Sequence, residues 1–201
     1  MKAKDSQTIY AKFGLCQNCY KKMPFIYQHF NLIGIPGLAI YEYSGLIKDS
    51  LLALKVNGDR EIAKIFFGPI AGFLRLKYTG YTILPVPSIS SQDRLRTFNH
   101  VYEIAKILRL PIEKAFVKTQ SWKQSGKSQT KRTYIRKVLK INKELDPTKK
   151  YLIVDDIMTT GETLKACINL IKPPHRRTLK ILVVAIHKNR KKSRKTLADF
   201  N

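Results

Sequence analysis

Apolar residues recur along this chain in two rhythms. Compact apolar runs at Leu38 to Tyr43, Tyr81 to Pro87, Tyr151 to Val154 and Leu179 to Ile186 read as strands. Between them, Leu46 to Leu54 and Glu61 to Leu76 carry apolar residues at helical spacing, broken at Asn57-Gly58. Phe98 to Leu110 places Val101, Ile104, Ala105 and Leu108 on one helical face, and a further helix runs from about Gly161 to Ile171. Strands alternating with helices predict an α/β domain with a mostly parallel sheet, whose ligands sit at the carboxyl ends of the strands. No internal repeat is visible.

Other segments fall outside that pattern. Residues 1 to about 36 are polar, rich in Lys and Tyr, and end in the punctuation Gly34-Ile35-Pro36-Gly37, which predicts a module boundary. Residues 119 to 134 form a long polar stretch without a burial pattern, of the kind that serves compact domains as a lid or stays disordered. His187 to Lys195 is a basic, low-complexity run. The expected organisation is therefore an N-terminal module over 1–36 containing Cys16-Gln-Asn-Cys19, the α/β domain over 37–187 and a basic tail over 188–201.

Composition adds a class of partner. The 201 residues hold 38 Lys+Arg against 14 Asp+Glu, a formal net charge of +24, while apolar residues still make up 44%. That much apolar content builds one ordinary core, so the charge sits on a folded body that attracts polyanions such as nucleic acid, nucleotides or anionic lipid. No run approaches the roughly 18 apolar residues of a spanning helix, and the N-terminus lacks the apolar core of a secretory signal. The three cysteines, Cys16, Cys19 and Cys167, are an odd number that fits a reducing compartment, so a cytoplasmic protein is expected.

The most informative segment is Tyr151-Leu-Ile-Val-Asp155-Asp156-Ile157-Met158-Thr159-Thr160-Gly161-Glu162-Thr163-Leu164. An apolar strand leads to two acids, then two hydroxyl residues, a glycine that lets backbone approach a ligand, and a hydroxyl opening a helix. Unpaired N–H groups and partial positive charge at a helix N-terminus favour a bound phosphate. Two carboxylates facing that phosphate would repel it. They are better placed to accept hydrogen bonds from sugar hydroxyls or to help hold a divalent cation. Phosphate on one side and sugar hydroxyls on the other describe a ribose 5-phosphate; the competing reading is a plain strand-to-helix turn with a capping threonine.

This spacing resembles the binding signature of type I phosphoribosyltransferases, which use 5-phosphoribosyl 1-diphosphate with magnesium. The resemblance implies a type I phosphoribosyltransferase-like sheet flanked by helices, a catalytic pair Asp155 and Asp156 on the ribose, and a 5-phosphate loop of Ile157, Met158, Thr159, Thr160, Gly161, Glu162 and Thr163. Ile83-Leu-Pro85-Val-Pro87-Ser88, Arg94-Leu-Arg96-Thr-Phe98-Asn99-His100, Gln124 to Arg132 and Leu54-Lys55-Val-Asn-Gly58-Asp59 are similar to segments of the ComF family of competence-associated proteins. That family carries an N-terminal zinc-binding module where Cys16 and Cys19 fall. One Cys-x-x-Cys pair supplies only part of the about four ligands of a structural zinc. His29 is a candidate third, and Cys167 reads as a buried small hydrophobe.

The two resemblances together imply a pyrophosphate loop at Pro87, Ser88 and Ile89, magnesium carried in by the bound ligand, and a flexible basic loop whose Lys127, Lys131 and Arg132 close over diphosphate. Solvated charge is the plain alternative for those three cations. Arg94, Arg96, Lys188, Arg190, Lys191, Lys192, Arg194 and Lys195 are candidate nucleic-acid contacts, within a stretch from 172 to 195 that holds ten Lys or Arg and no acid. Two functions remain open. One is a transferase passing phosphoribosyl to a nucleobase or amine. The other, which the ComF resemblance implies and which is the expected one, is a protein that binds phosphoribosyl diphosphate with magnesium and helps pass internalised single-stranded DNA to recombination, with helicase-like and recombination proteins as partners and peripheral membrane association allowed by the charge.

Overall fold

The computed structural model describes residues 11–87, 99–118, 139–172 and 176–187. In chain order it comprises α1 (Gln17–Lys21), β1 (Phe25–Leu32), β2 (Ile35–Glu42), α2 (Gly45–Asn57), α3 (Ala63–Phe67), α4 (Ala71–Lys77), β3 (Tyr81–Pro85), α5 (His100–Lys106), β4 (Phe116–Lys118), β5 (Leu139–Ile141), β6 (Lys150–Met158), α6 (Glu162–Leu170) and β7 (Lys180–Ile186). One five-stranded sheet has the order β1-β2-β7-β6-β3, in which β2, β7, β6 and β3 are parallel and β1 is an antiparallel edge. The expected mostly parallel α/β sheet is present.

Strand alternation divides the core in two. Leu152 and Val154 of β6, Leu182 and Val184 of β7, and Leu38 and Ile40 of β2 pack with Leu51 and Leu54 of α2, Phe66 of α3, Leu74 of α4 and Ile104 of α5. Tyr151, Ile153, Ile181, Val183 and Ala39 point the other way, to Leu164, Cys167 and Ile168 of α6 and to Phe116 and Leu139 of the small β4–β5 ribbon. Burial on both faces is why β6 and β7 read as unbroken apolar runs.

The expected boundary at Gly34-Ile35-Pro36-Gly37 is corrected by the pairing of β1 with β2, which makes these residues a hairpin inside the main sheet. Ile33 and Gly34 form its two-residue turn, with φ of 48° and 85°, and the Gly34 N–H donates to Asn31 Oδ1 at 2.8 Å. Left-handed φ at both central residues matches the twist of a hairpin, and an isoleucine there gives no sequence signal for it. The Phe30 ring packs directly over Gly37, where a Cβ would fall 2.2 Å from it and force the ring to move. The helix expected over Glu61 to Leu76 is divided at Gly68-Pro69 into α3 and α4, where proline cannot donate to the preceding turn.

Candidate functional site

β6 runs further than its apolar residues indicate. Asp155 and Asp156, expected just beyond the strand, lie inside it, because β7 supplies ladder partners as far as the pair Met158 and Ile186. Just past the end of β3, the Val86 N–H donates to Val154 O at 2.9 Å, so the chain stays alongside β6 up to the residue before the acid pair.

Both acids are 8% exposed, and alternation sends them to opposite faces of the sheet. Asp156 follows Leu152 and Val154 to the side of α2 and α5. Its Oδ2 meets Lys55 Nζ from α2 and, at 2.9 Å, His100 Nε2 from α5, while Oδ1 accepts the Ile157 N–H at 2.7 Å. Burial pushes the Asp156 carboxyl up, but the His100 hydrogen bond and the Lys55 charge outweigh it and hold the carboxyl well below its ordinary range. The group is an anion, and Nε2 of His100 is therefore the donor. Asp155 follows Ile153 to the α6 side, where its Oδ1 accepts the Asp156 N–H at 2.9 Å. Burial and then the adjacent Asp156 charge raise its carboxyl well above the ordinary value. Burial likewise raises the thiol of Cys167, with the Asp155 charge adding to it.

The following loop behaves as its residue types demand. Ile157 is half-buried, Met158 is buried, and Thr159 and Thr160 are exposed. Gly161 is the N-cap of α6 with φ 73° and ψ 13°, a left-handed geometry open to glycine at little cost, and no side chain caps the helix there. Glu162 and Thr163 open α6, with Glu162 Oε1 paired to Lys165 Nζ at 2.8 Å. The end of α6 thus offers backbone N–H groups to an anion beside the two exposed threonines.

Sequence reasoning missed Lys55 and His100 as members of this site. Both stand in segments that resemble ComF stretches, which was the available signal. Asn99 is the N-cap of α5, accepting the Tyr102 N–H at 3.1 Å. Ser88, Ile89, Arg94, Arg96, Lys127, Lys131, Arg132, Lys188, Arg190, Lys191, Lys192, Arg194 and Lys195 lie outside the described residues.

Cys16 caps α1, and its Sγ accepts the Cys19 N–H at 3.3 Å. Hydrogen bonds from Cys19 lower the exposed Cys16 thiol, and the same pairing raises that of Cys19. His29 is exposed on β1, and Cys167 is buried among the α6 core residues. Among the described residues no group of three or more His, Cys, Asp or Glu side chains gathers to hold a metal, so neither a closed zinc site nor an all-protein magnesium cage is formed by them. No helix of the described residues is long and apolar enough to cross a membrane.

An acid pair in a central parallel strand is followed here by Thr-Thr-Gly and the start of a helix, within an α/β domain whose sheet is mostly parallel. The family model for the phosphoribosyl transferase domain matches residues 98–200, and the chain belongs to that family. More particularly, it is similar to competence protein ComFC. It is 25% identical to ComFC of Bacillus subtilis (strain 168) over 128 residues, covering 63% of this chain and 53% of that protein. To ComFC of Streptococcus pneumoniae (strain ATCC BAA-255 / R6) it is 26% identical over 140 residues, covering 70% of this chain and 63% of that protein. The chain therefore spans between half and two thirds of the length of these curated relatives. Among solved structures, it is similar to a hypoxanthine phosphoribosyltransferase from Staphylococcus aureus at 18% identity and a TM-score of 0.40, covering 68% of this chain and 70% of that chain. A purine phosphoribosyltransferase from Pyrococcus horikoshii Ot3 gives 18% identity and a TM-score of 0.34, covering 75% and 78%.

Proposed function

We propose that this protein binds 5-phosphoribosyl 1-diphosphate with magnesium at the carboxyl end of β6, and that it uses this device in handling internalised single-stranded DNA during natural transformation. The observation that carries the reading is the juxtaposition of Asp155 and Asp156 with the Gly161-capped start of α6, within a phosphoribosyl transferase domain. The 5-phosphate would lie against Thr159 to Thr163 and the N–H groups of α6, where the helix end favours negative charge. The acids would accept ribose hydroxyls. The diphosphate would extend toward Pro87, Ser88 and Ile89, with Lys127, Lys131 and Arg132 as counter-charges. Magnesium suits a site of this kind because it keeps most of its waters and rides on phosphate oxygens, and there it would neutralise diphosphate charge.

The similarity to ComFC and the ten Lys or Arg between residues 172 and 195 support the DNA part, with 188–201 as the basic segment that tracks phosphates. A transferase acting on a nucleobase or amine without a DNA role is the second reading, favoured by the family domain alone. Calorimetry with phosphoribosyl diphosphate and magnesium tests the ligand, with binding expected for the wild type and lost in Asp155→Asn/Asp156→Asn. Absence of heat in the wild type, or equal binding by the double variant, rejects the site. Single-strand affinity should fall steeply with salt and weaken when residues 187–195 are deleted, so a flat salt response rejects the DNA reading. Pyrophosphate release across a panel of bases and amines separates transferase from binding protein.

A further inference from the structure

Asp156 has most of its acceptor capacity committed before any ligand arrives. Oδ2 serves both Lys55 and His100, and Oδ1 serves the Ile157 N–H. A carboxylate offers about four lone-pair sites, so roughly one, on Oδ1, remains for a ligand hydroxyl. Asp155 leaves the strand on the opposite face and takes no part in this clamp.

Lys55 is unusually well placed to fix that oxygen. It lies in the last turn of α2, where a cation is favoured, and its side chain is 25% exposed against 10% for Asp156. The helix ends directly afterwards, with Gly58 as its C-cap at φ 71°. Leu54 beside it is fully buried in the core shared with β6, so the helix and strand are locked together at this point. Lys55 also lies outside residues 98–200, so the matched domain does not contain this lysine partner of its own acid.

We propose that Lys55 is a positioning residue of the sugar site, which by holding Oδ2 of Asp156 turns the free lone pair of Oδ1 toward a ribose hydroxyl, with His100 as the second clamp on the same oxygen. This inference rests on the phosphoribosyl diphosphate reading above. Lys55 acts through Asp156 and makes no ligand contact of its own, which distinguishes it from a phosphate-binding lysine. It also distinguishes it from a strut between α2 and β6, whose loss would change stability and leave the affinity of the folded protein alone.

The test is a double-mutant cycle on affinity for phosphoribosyl diphosphate with magnesium, measured by calorimetry on the full chain at a temperature where circular dichroism shows every variant folded. Lys55→Met should weaken binding by about tenfold or more in the wild-type background, and by almost nothing on top of Asp156→Asn. Lys55→Arg, which keeps charge and donors, should recover most of the loss. If Lys55→Met does not fold, Lys55→Gln, which keeps the stem and removes the charge, takes its place in the cycle. A wild type that binds while Lys55→Met and Lys55→Gln bind equally well overturns the inference and leaves the ligand reading standing. Equal losses with and without Asp156 also overturn it, because Lys55 would then touch the ligand directly. A wild type that does not bind overturns the ligand reading and this inference with it.

Discussion

Removing the charge of Asp155 should stabilise the protein. Asp155→Asn keeps Oδ1, and with it the acceptor for the Asp156 N–H, so geometry is preserved and only ionisation is lost. What disappears is the cost of an anion that is 8% exposed and adjacent to a second carboxylate already committed to Lys55 and His100. Buried charges of this kind cost several kcal/mol before compensation, and a net gain of about 1–3 kcal/mol is expected at neutral pH. With m near 2–3 kcal/mol/M, that moves the urea midpoint up by roughly 0.3–1.5 M. The sign with pH is fixed by linkage. The folded carboxyl value of Asp155 lies above the unfolded value of about 3.9, so the native state loses stability as pH rises between them. The gain from Asn is therefore full above the folded value and fades as pH falls toward 4. Urea unfolding followed by circular dichroism across that range measures it. Equal midpoints at neutral pH, or a gain that does not change with pH, would refute the assignment of Asp155 as a destabilising buried acid. Asp156→Asn supplies the opposite sign, because it strands the partly buried Lys55 ammonium and its one remaining oxygen cannot serve both His100 and the Ile157 N–H, at about 2–4 kcal/mol.

Tyr41→Phe should cost about 1–2 kcal/mol by calorimetric unfolding, since the Tyr41 hydroxyl, fully buried, donates to Phe66 O at 2.6 Å and the carbonyl is left without it. Gly161→Ala should cost about 1–2 kcal/mol from its left-handed φ and weaken phosphate binding in the same titration, whereas an unchanged melting temperature would mean the loop relaxes freely. Glu113 is pushed up by burial but held below its ordinary value by Lys143 and Lys149, each 2.8 Å away. Its contribution should be present above the unfolded carboxyl value and lost as pH falls through the folded one, so Glu113→Gln should destabilise slightly at neutral pH and not at all at low pH, most clearly at low salt.

The parts of the molecule that were legible in the sequence are those where one local pattern has one physical cause. β6 and β7 are buried on both faces and so read as apolar runs, and the Asp155 to Thr163 segment carries its acids, hydroxyls and glycine within one turn of chain. β1 was not legible because a bulge between Phe25 and Gln28, with Tyr27 at φ 43°, breaks the alternation that would mark a half-buried strand. The β4–β5 pairing brings together Phe116 to Lys118 and Leu139 to Ile141 across a long stretch of sequence, in strands too short for any period to emerge. Lys55 and His100 illustrate the same limit at the site. Each looks like an ordinary polar residue in its own helix, and only the packing of α2 and α5 on one face of the sheet reveals that they share an oxygen of Asp156.

That packing also bears on what the unit of function is. Residues 98–200 contain β6 and β7, yet the strands that flank them in the sheet, β3 on one side and β2 on the other, both come from earlier in the chain. Without β3, the ladder partners of Tyr151 to Val154 are lost and the strand bearing the acids becomes an edge. Without α2, α3 and α4, the face on which Asp156 sits loses Leu51, Leu54, Phe66 and Leu74, which exclude water from it, together with the Lys55 ammonium that keeps it ionised. Asp156 would then be more solvated and held only by His100 and the Ile157 N–H. The matched segment supplies the recognisable chemistry and the His100 clamp, but the rest of the environment that makes those carboxylates unequal, the Lys55 charge and the flanking strands and helices, is built by residues 25–86.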